Sequence, residues 1–166
     1  MRWILVVAAA TTALAGCSDG AMSTEAYFAE LETIAQKTDD ASAAWQERTQ
    51  DALAGITSAQ EATEVFRPLL EDGLEIIQTA LDELEELSPP DEIADEHIAF
   101  VDSIRATLQE FQRLRDDYDT LGLEGVAAAI QGQDLQSLDR ASDEACADLQ
   151  TAAEDRGVDV DLNCGG

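Results

Sequence analysis

The side chains best suited to chemistry in this chain gather around its only histidine, His97. The run Asp91-Glu92-Ile93-Ala94-Asp95-Glu96-His97 sets carboxylates beside an imidazole, the donor types that hold divalent cations or orient a small polar ligand. Glu92, Glu96 and His97 are therefore the candidates for a ligand site between helices. Di-iron helical bundles supply Glu-x-x-His from facing helices, but here Ala94 stands three places before His97, and no His-Glu-x-x-His is present. The spacing favours a half-buried histidine hydrogen-bonded near a helix start. No metal or other cofactor is expected. The acids Glu71, Asp72, Glu75, Asp82, Glu83, Glu85 and Glu86 lack the tight-turning loop that converges oxygens on calcium, and they read as a solvated face. Nucleophile elbows, phosphate-cradling glycine loops and dinucleotide motifs are missing as well, so no catalytic residue is assigned and the chain is read as a non-enzyme.

Three cysteines, Cys17, Cys146 and Cys164, complete the reactive inventory, and none forms a Cys-x-x-Cys pair. The chain opens Met1-Arg2-Trp3, continues through the apolar run from Ile4 to Ala10, and reaches Leu14-Ala15-Gly16-Cys17. One positive charge, a short apolar core and small residues make the layout of a secretory signal. The apolar run is shorter than the roughly 20 residues that span a membrane. The segment Leu14-Ala15-Gly16-Cys17 resembles the lipobox of bacterial lipoproteins. That resemblance implies cleavage between Gly16 and Cys17 and a diacylglycerol on the Cys17 thiol. It also implies residence at the cell membrane or outer membrane, facing the periplasm or exterior. Two acyl chains anchor a protein stably where one does so marginally. With Cys17 given to lipid, Cys146 and Cys164 remain, and export favours their oxidation to a disulfide. The bridge would close a loop of about 18 residues and contribute about 3 kcal/mol. A two-thiol metal site is the alternative, and the single histidine counts against it.

Cleavage would remove Arg2 and no acid, leaving 150 residues with 8 basic and 36 acidic side chains and a net charge of −28. Nucleic acid and anionic headgroups repel such a surface, so the membrane is expected as a partner only through the lipid on Cys17. The remaining partner is an envelope protein or a small ligand.

The elements that must position these residues read as helices. The first is expected from about Ser23 to Gly55 on Tyr27, Phe28, Leu31, Ile34, Trp45 and Leu53, with the polar Lys37-Thr38-Asp39-Asp40 as a weak stretch. This helix has the poorest apolar stripe and could stand partly apart as a spacer. Ser58-Ala59-Gln60-Glu61 matches a capping box. The second helix then runs to Leu87, with Phe66, Leu70, Leu74, Ile77, Leu81, Leu84 and Leu87 along one seam and Pro68 predicted to kink it. After Ser88-Pro89-Pro90 a third helix carries Ile93, Phe100, Ile104, Leu108, Phe111, Tyr118 and Leu121 to Gly122. A fourth, with Gly132 as a weak point, ends at Gly157. The expected fold is all-α, an antiparallel bundle of about four helices with a disulfide-closed C-terminal tail. The boundaries are a signal peptide at 1–16, a lipidated tether at 17–22, the bundle at 23–157 and the tail at 158–166. The Pro89-Pro90 step before His97, and the segment from Cys146 to Cys164, resemble parts of uncharacterised exported helical lipoproteins. That likeness implies fold and compartment alone. The resulting expectation is a membrane-anchored, non-catalytic binding or scaffold domain of the cell envelope, with a ligand site near His97 as the alternative.

Overall fold

The computed structural model describes residues 20–164. The signal segment 1–16, the cleavage pair Gly16 and Cys17, and the first part of the tether lie outside the described residues. Five α-helices follow one another: α1 (Thr24–Ala54), α2 (Ala59–Glu85), α3 (Ala94–Asp116), α4 (Tyr118–Ile130) and α5 (Gln133–Asp155), with a 3-10 turn at Asp91–Ile93 leading into α3. No strand occurs among the described residues.

Local chemistry sets the boundaries. Ser23 caps α1 by accepting from the Ala26 amide at 3.2 Å, and Ser58 caps α2 by accepting from the Glu61 amide at 3.2 Å. The second half of the expected capping box differs in one detail. Glu61 reaches back past the cap to the Thr57 amide, at 3.1 Å. The long helix α2 runs through Pro68 without ending there, and it stops at Glu85, short of the expected Leu87. The Pro89-Pro90 step beyond cannot extend a helix.

The third and fourth helices of the sequence reading become three. The backbone leaves the α3 helix at Asp117, and α4 contains Gly122 at φ 65° and ψ 177°, a conformation open to glycine but strained for other residues. Gly132 then separates α4 from α5. The third helix therefore ends at Asp116, and Tyr118 belongs to the next element. At the end of α5, Gly157 adopts φ 72°, and the Val158 amide returns to the Ala153 carbonyl at 3.0 Å. This six-residue closure is the expected helix stop, and it turns the tail back along α5.

The helices α1, α2, α3 and α5 run antiparallel in sequence order. One end gathers the start of α1, the end of α2, the start of α3 and the end of α5. There the Met22 amide donates to the Ser88 carbonyl at 2.9 Å, and the Arg156 guanidinium donates to the Glu92 carbonyl at 2.6 Å. Met22 also packs against the core, so the folded body begins inside the segment read as tether. At the other end α4 crosses the start of α2. Tyr118 stacks on Phe66 with ring centroids 6.0 Å apart and donates its hydroxyl to the Thr63 carbonyl at 3.3 Å. Within the bundle α1 packs on α2, α2 on α3 and α3 on α5. The pair α1 and α5 shows no comparable approach.

The core holds Tyr27, Phe28, Leu31 and Ile34 of α1, Leu70, Leu74, Leu81 and Leu84 of α2, Val101 and Leu108 of α3, and Leu149, Ala152 and Ala153 of α5. Helix α1 is thus no free spacer. Only its first three turns enter the core, however, and Leu53, assigned to the same stripe, is 40% exposed. Leu121, expected inside, is 41% exposed, because the break at Gly122 turns it off the core face.

The tail is fastened by covalent and polar bonds together. Cys146 and Cys164 form the disulfide, with Cα atoms 5.5 Å apart. Gln150 donates to the Val160 carbonyl at 2.8 Å and accepts from the Leu162 amide at 3.1 Å, while Val160 and Leu162 are buried. Replacing both cysteines by serine should lower the unfolding free energy by about 2–4 kcal/mol, read from urea denaturation of the oxidised protein and the double variant. Equal stability of the two would show that the tail closure contributes nothing.

Candidate functional site

His97 sits in the first turn of α3, facing the first turn of α1. The Pro89-Pro90 step and the 3-10 turn aim it inward, and Ile93, one helical turn earlier, is fully buried beside it in the same end of the core. Its Nδ1 lies 3.1 Å from the Tyr27 hydroxyl, and the two rings meet edge to face at 5.8 Å. Burial pulls the His97 pKa below its ordinary value of 6.5, so the imidazole is neutral at pH 7. Burial first, and the Glu96 carboxylate second, push the Tyr27 phenol above its ordinary range. The phenol therefore keeps its proton and shares a hydrogen bond with Nδ1, the imidazole tautomer setting which of the two donates. Both polar tips are satisfied by this one bond, which ties α1 to α3.

The three side chains read as a possible ligand set are not gathered around a common point. The Glu92 carboxylate accepts from the Thr24 hydroxyl at 3.3 Å, an exposed bond that joins the 3-10 turn to the start of α1. Glu96 acts on Tyr27 through its charge. No group of three or more His, Cys, Asp or Glu side chains among the described residues could hold a metal ion. Nor do Glu92, Glu96 or His97 line any of the open volumes described next.

Open volume lies between α1 and α5 at the tail end and continues beside α4, first against α1 and α2 and then against α3 and α5. At the tail end a cavity of about 120 Å³ is lined by Leu31, Ile34, Leu84, Phe100, Ile104 and Leu162. It continues into one of about 410 Å³ that shares Asp39, Phe100, Ile104 and Cys146 with it and adds Ser42, Gln46, Ser142 and Asp143. A third, of about 230 Å³, shares Ser42 and Gln46 and is walled by Trp45, Phe66, Ile77, Phe111 and Ile130. A fourth, also about 230 Å³, shares Phe111 and Ile130 and reaches Leu135 and Asp139. Each shares residues with the next, so the four adjoin one another in a row along the bundle, here called the cleft.

The cleft has an identifiable cause. After Ile34 the apolar stripe of α1 gives way to Lys37-Thr38-Asp39-Asp40, so α1 has nothing to press against α5. It stays on α2 instead. Gly73 lets it do so, since a Cβ there would stand 3.3 Å from the Trp45 ring, and the Trp45 indole donates to the Leu69 carbonyl at 2.7 Å. The seam residues Phe66, Ile77, Phe100, Ile104, Phe111 and Ile130, which a fully closed bundle would cover, are left half-buried. At the tail end the cleft is bridged. The Asn163 amide donates to the Asp39 carboxylate at 3.0 Å, joining the disulfide-held tail to α1. Reading helices one at a time identifies these apolar residues but not their exposure, which depends on how closely α1 and α5 approach.

A separate groove of about 400 Å³ lies on the outer face of α1 and α2. Its two cations are paired, Lys37 to Glu83 at 3.2 Å and Arg48 to Asp72 at 3.5 Å, in exposed pairs of little energetic weight, and Glu75 adds a further acid to its lining.

The burial of His97 carries a pH dependence of definite sign. Because the folded pKa of His97 is depressed, the unfolded chain takes up a proton near pH 6.5 that the folded chain refuses. The stability it contributes is present above pH 6.5 and is lost as pH falls from there through the folded pKa. Unfolding free energies from urea titrations at pH 7.5 and pH 5.5 should therefore fall more in the parent than in His97→Gln. Tyr27→Phe should cost about 1–3 kcal/mol at pH 7.5 by leaving the buried Nδ1 without its hydrogen-bond partner. Parallel pH profiles for the parent and His97→Gln would contradict this account.

Comparison of the chain with protein-family models, curated proteins and solved structures gives no match.

Proposed function

We propose that this chain is the precursor of a lipid-anchored bacterial lipoprotein whose helical body is a non-catalytic binding module of the cell envelope. Its binding surface is the cleft between α1 and α5. One observation carries the binding part of this reading: adjoining cavities floored by half-buried Phe66, Phe100, Ile104 and Phe111, with polar Ser42, Gln46, Ser142 and Asp143 around the middle one. Proteins that leave such a surface uncovered generally use it. The reading rests on this cleft rather than on His97, because Tyr27 already holds the imidazole and the cleft has room for a ligand.

The anchoring part rests on Leu14-Ala15-Gly16-Cys17 and on the charge of the body. No helix among the described residues is long and apolar enough to cross a membrane. A body this acidic is repelled by anionic headgroups, so attachment would depend on the lipid at Cys17. Met22 is already pinned to Ser88, so the linker from Cys17 would be at most about 18 Å long at 3.5 Å per residue. The body would then stand close to the bilayer.

Two measurements test the two parts. In membrane fractionation of a bacterial host, the parent should partition with the membrane, and Cys17→Ala should appear in the soluble fraction or stall as the precursor. Unchanged fractionation would defeat the lipid anchor. For the cleft, a photo-crosslinking amino acid placed at Ala43, which lines it, should capture adducts in living cells. The same group at Ala44, exposed and outside the lining of the four cavities, should not. Absence of any adduct at position 43 would remove the binding module.

A further inference from the structure

We infer that the α1–α5 cleft receives a basic amphipathic helix from a partner protein, laid along the bundle as an additional helix. This rests on the proposed role of the cleft as a binding surface and names what fills it.

Three observations lead to a helix of that charge. The first is length. On α2 the cleft is lined from Phe66 to Leu84, eighteen positions, which at 1.5 Å per residue is about 27 Å. A helix of about 18 residues has that length, whereas a small molecule would fill one segment of it. The second is the state of the walls. Apart from Leu162, Asn163 and Cys164 of the tail at one end, the cleft is walled by helices whose backbone groups bond within themselves, so an extended segment laid along it would leave most of its own amides and carbonyls unpaired. A helix brings its backbone bonds with it. An apolar face of helical periodicity can then cover Phe100, Ile104 and Phe111, which recur at intervals of four and seven along α3.

The third observation is charge. No lysine or arginine lines any of the four connected cavities, while Asp39, Asp139 and Asp143 do. Asp139 and Asp143 stand one turn apart on α5, and neither is in a salt bridge among the described residues. Six cations of the described residues pair with acids outside the four cavities, among them Lys37 with Glu83, Arg48 with Asp72, Arg67 with Asp119 and Arg105 with Glu85. Arg140, next to Asp139 on α5, donates instead to the Gln136 carbonyl and the Ser137 hydroxyl and lines none of the four cavities. A body of formal charge −27 repels a second copy of itself, and an acidic helix meets the same barrier. A helix with lysine or arginine flanking its apolar face gains attraction to both rims and covers the floor. Opposite charge also speeds encounter and makes it salt-dependent.

The cleft contains its own reporter. The sequence has two tryptophans, Trp3 and Trp45, and cleavage before Cys17 leaves Trp45 alone, on the cleft wall beside Phe66 and Phe111. The test uses the protein as processed by its host, held in phosphatidylcholine vesicles, and follows Trp45 emission and acrylamide quenching. The titrants are leucine/lysine and leucine/glutamate peptides of about 18 residues with the leucines at helical spacing. The basic peptide should shift Trp45 emission to the blue and protect it, saturably, and the acidic peptide should do neither. Ala43→Trp, made in a Trp45→Phe background and read by isothermal calorimetry alongside that background, should block binding by filling the cleft from an exposed position. The pair Asp139→Asn and Asp143→Asn should weaken binding roughly three- to tenfold at low salt. The pair Asp148→Asn and Asp155→Asn, exposed on α5 away from the cleft, makes the same charge change and should leave it unaltered.

Equal losses in the two asparagine pairs, or indifference to Ala43→Trp, would reduce the effect to bulk charge and overturn the inference. If position 43 captures only small molecules in cells and the basic peptide does not bind, the cleft remains a binding site but its occupant is not a helix. If position 43 captures nothing, the binding-module reading fails along with the inference.

Discussion

The arrangement of the whole bundle follows from how α1 is held. Four of its side chains, Tyr27, Phe28, Leu31 and Ile34, are buried at the end where the other helices begin and finish, and the Tyr27 hydroxyl locks that end to His97. Beyond Ile34 the helix has no second apolar face. It can gain burial only by staying on α2, where Gly73 and the Leu69 carbonyl accept Trp45. A helix bound strongly at one end and along one neighbour cannot also close against a third. The separation of α1 from α5 is therefore a consequence of where the apolar residues of α1 run out.

The opposite wall is held by different means. The disulfide and Gln150 bind the tail to α5, burying Val160 and Leu162, and Asn163 reaches across to Asp39. This places the single covalent cross-link of the described residues at the one point where α1 and α5 are joined through the tail. The cleft is bridged there and continues toward α4. A disulfide acts chiefly by limiting the unfolded chain. Here it also keeps the tail from leaving the end wall of the cleft.

The acidic surface and the apolar cleft are linked by solubility. A domain with half-buried phenylalanines along one groove would be prone to self-association, and a large net negative charge opposes that. The same charge selects among partners by repelling acidic ones. At a membrane the charge opposes contact with anionic lipid, so a short tether and a strongly acidic body would work against each other unless the attachment were covalent.

Much of this protein was determined by the sequence alone. Helical periodicity dictated an all-α chain because apolar residues at intervals of three and four can be buried only on a helix face, and Ser23, Ser58 and Gly157 marked ends through bonds local to the chain. The pairing of Cys146 with Cys164 was legible once Cys17 was set aside. Other features were decided by tertiary structure. The break at Gly122, the exposure of Leu121 and Leu53, and the engagement of His97 by Tyr27, 70 residues earlier in the chain, depend on which surfaces meet. The cleft is the clearest case. Phe100, Ile104 and Phe111 read as ordinary seam residues, and nothing in their spacing tells whether a neighbouring helix covers them. Periodicity specifies which face of a helix is apolar, but coverage is a distance between two helices far apart in sequence, and only packing sets that distance.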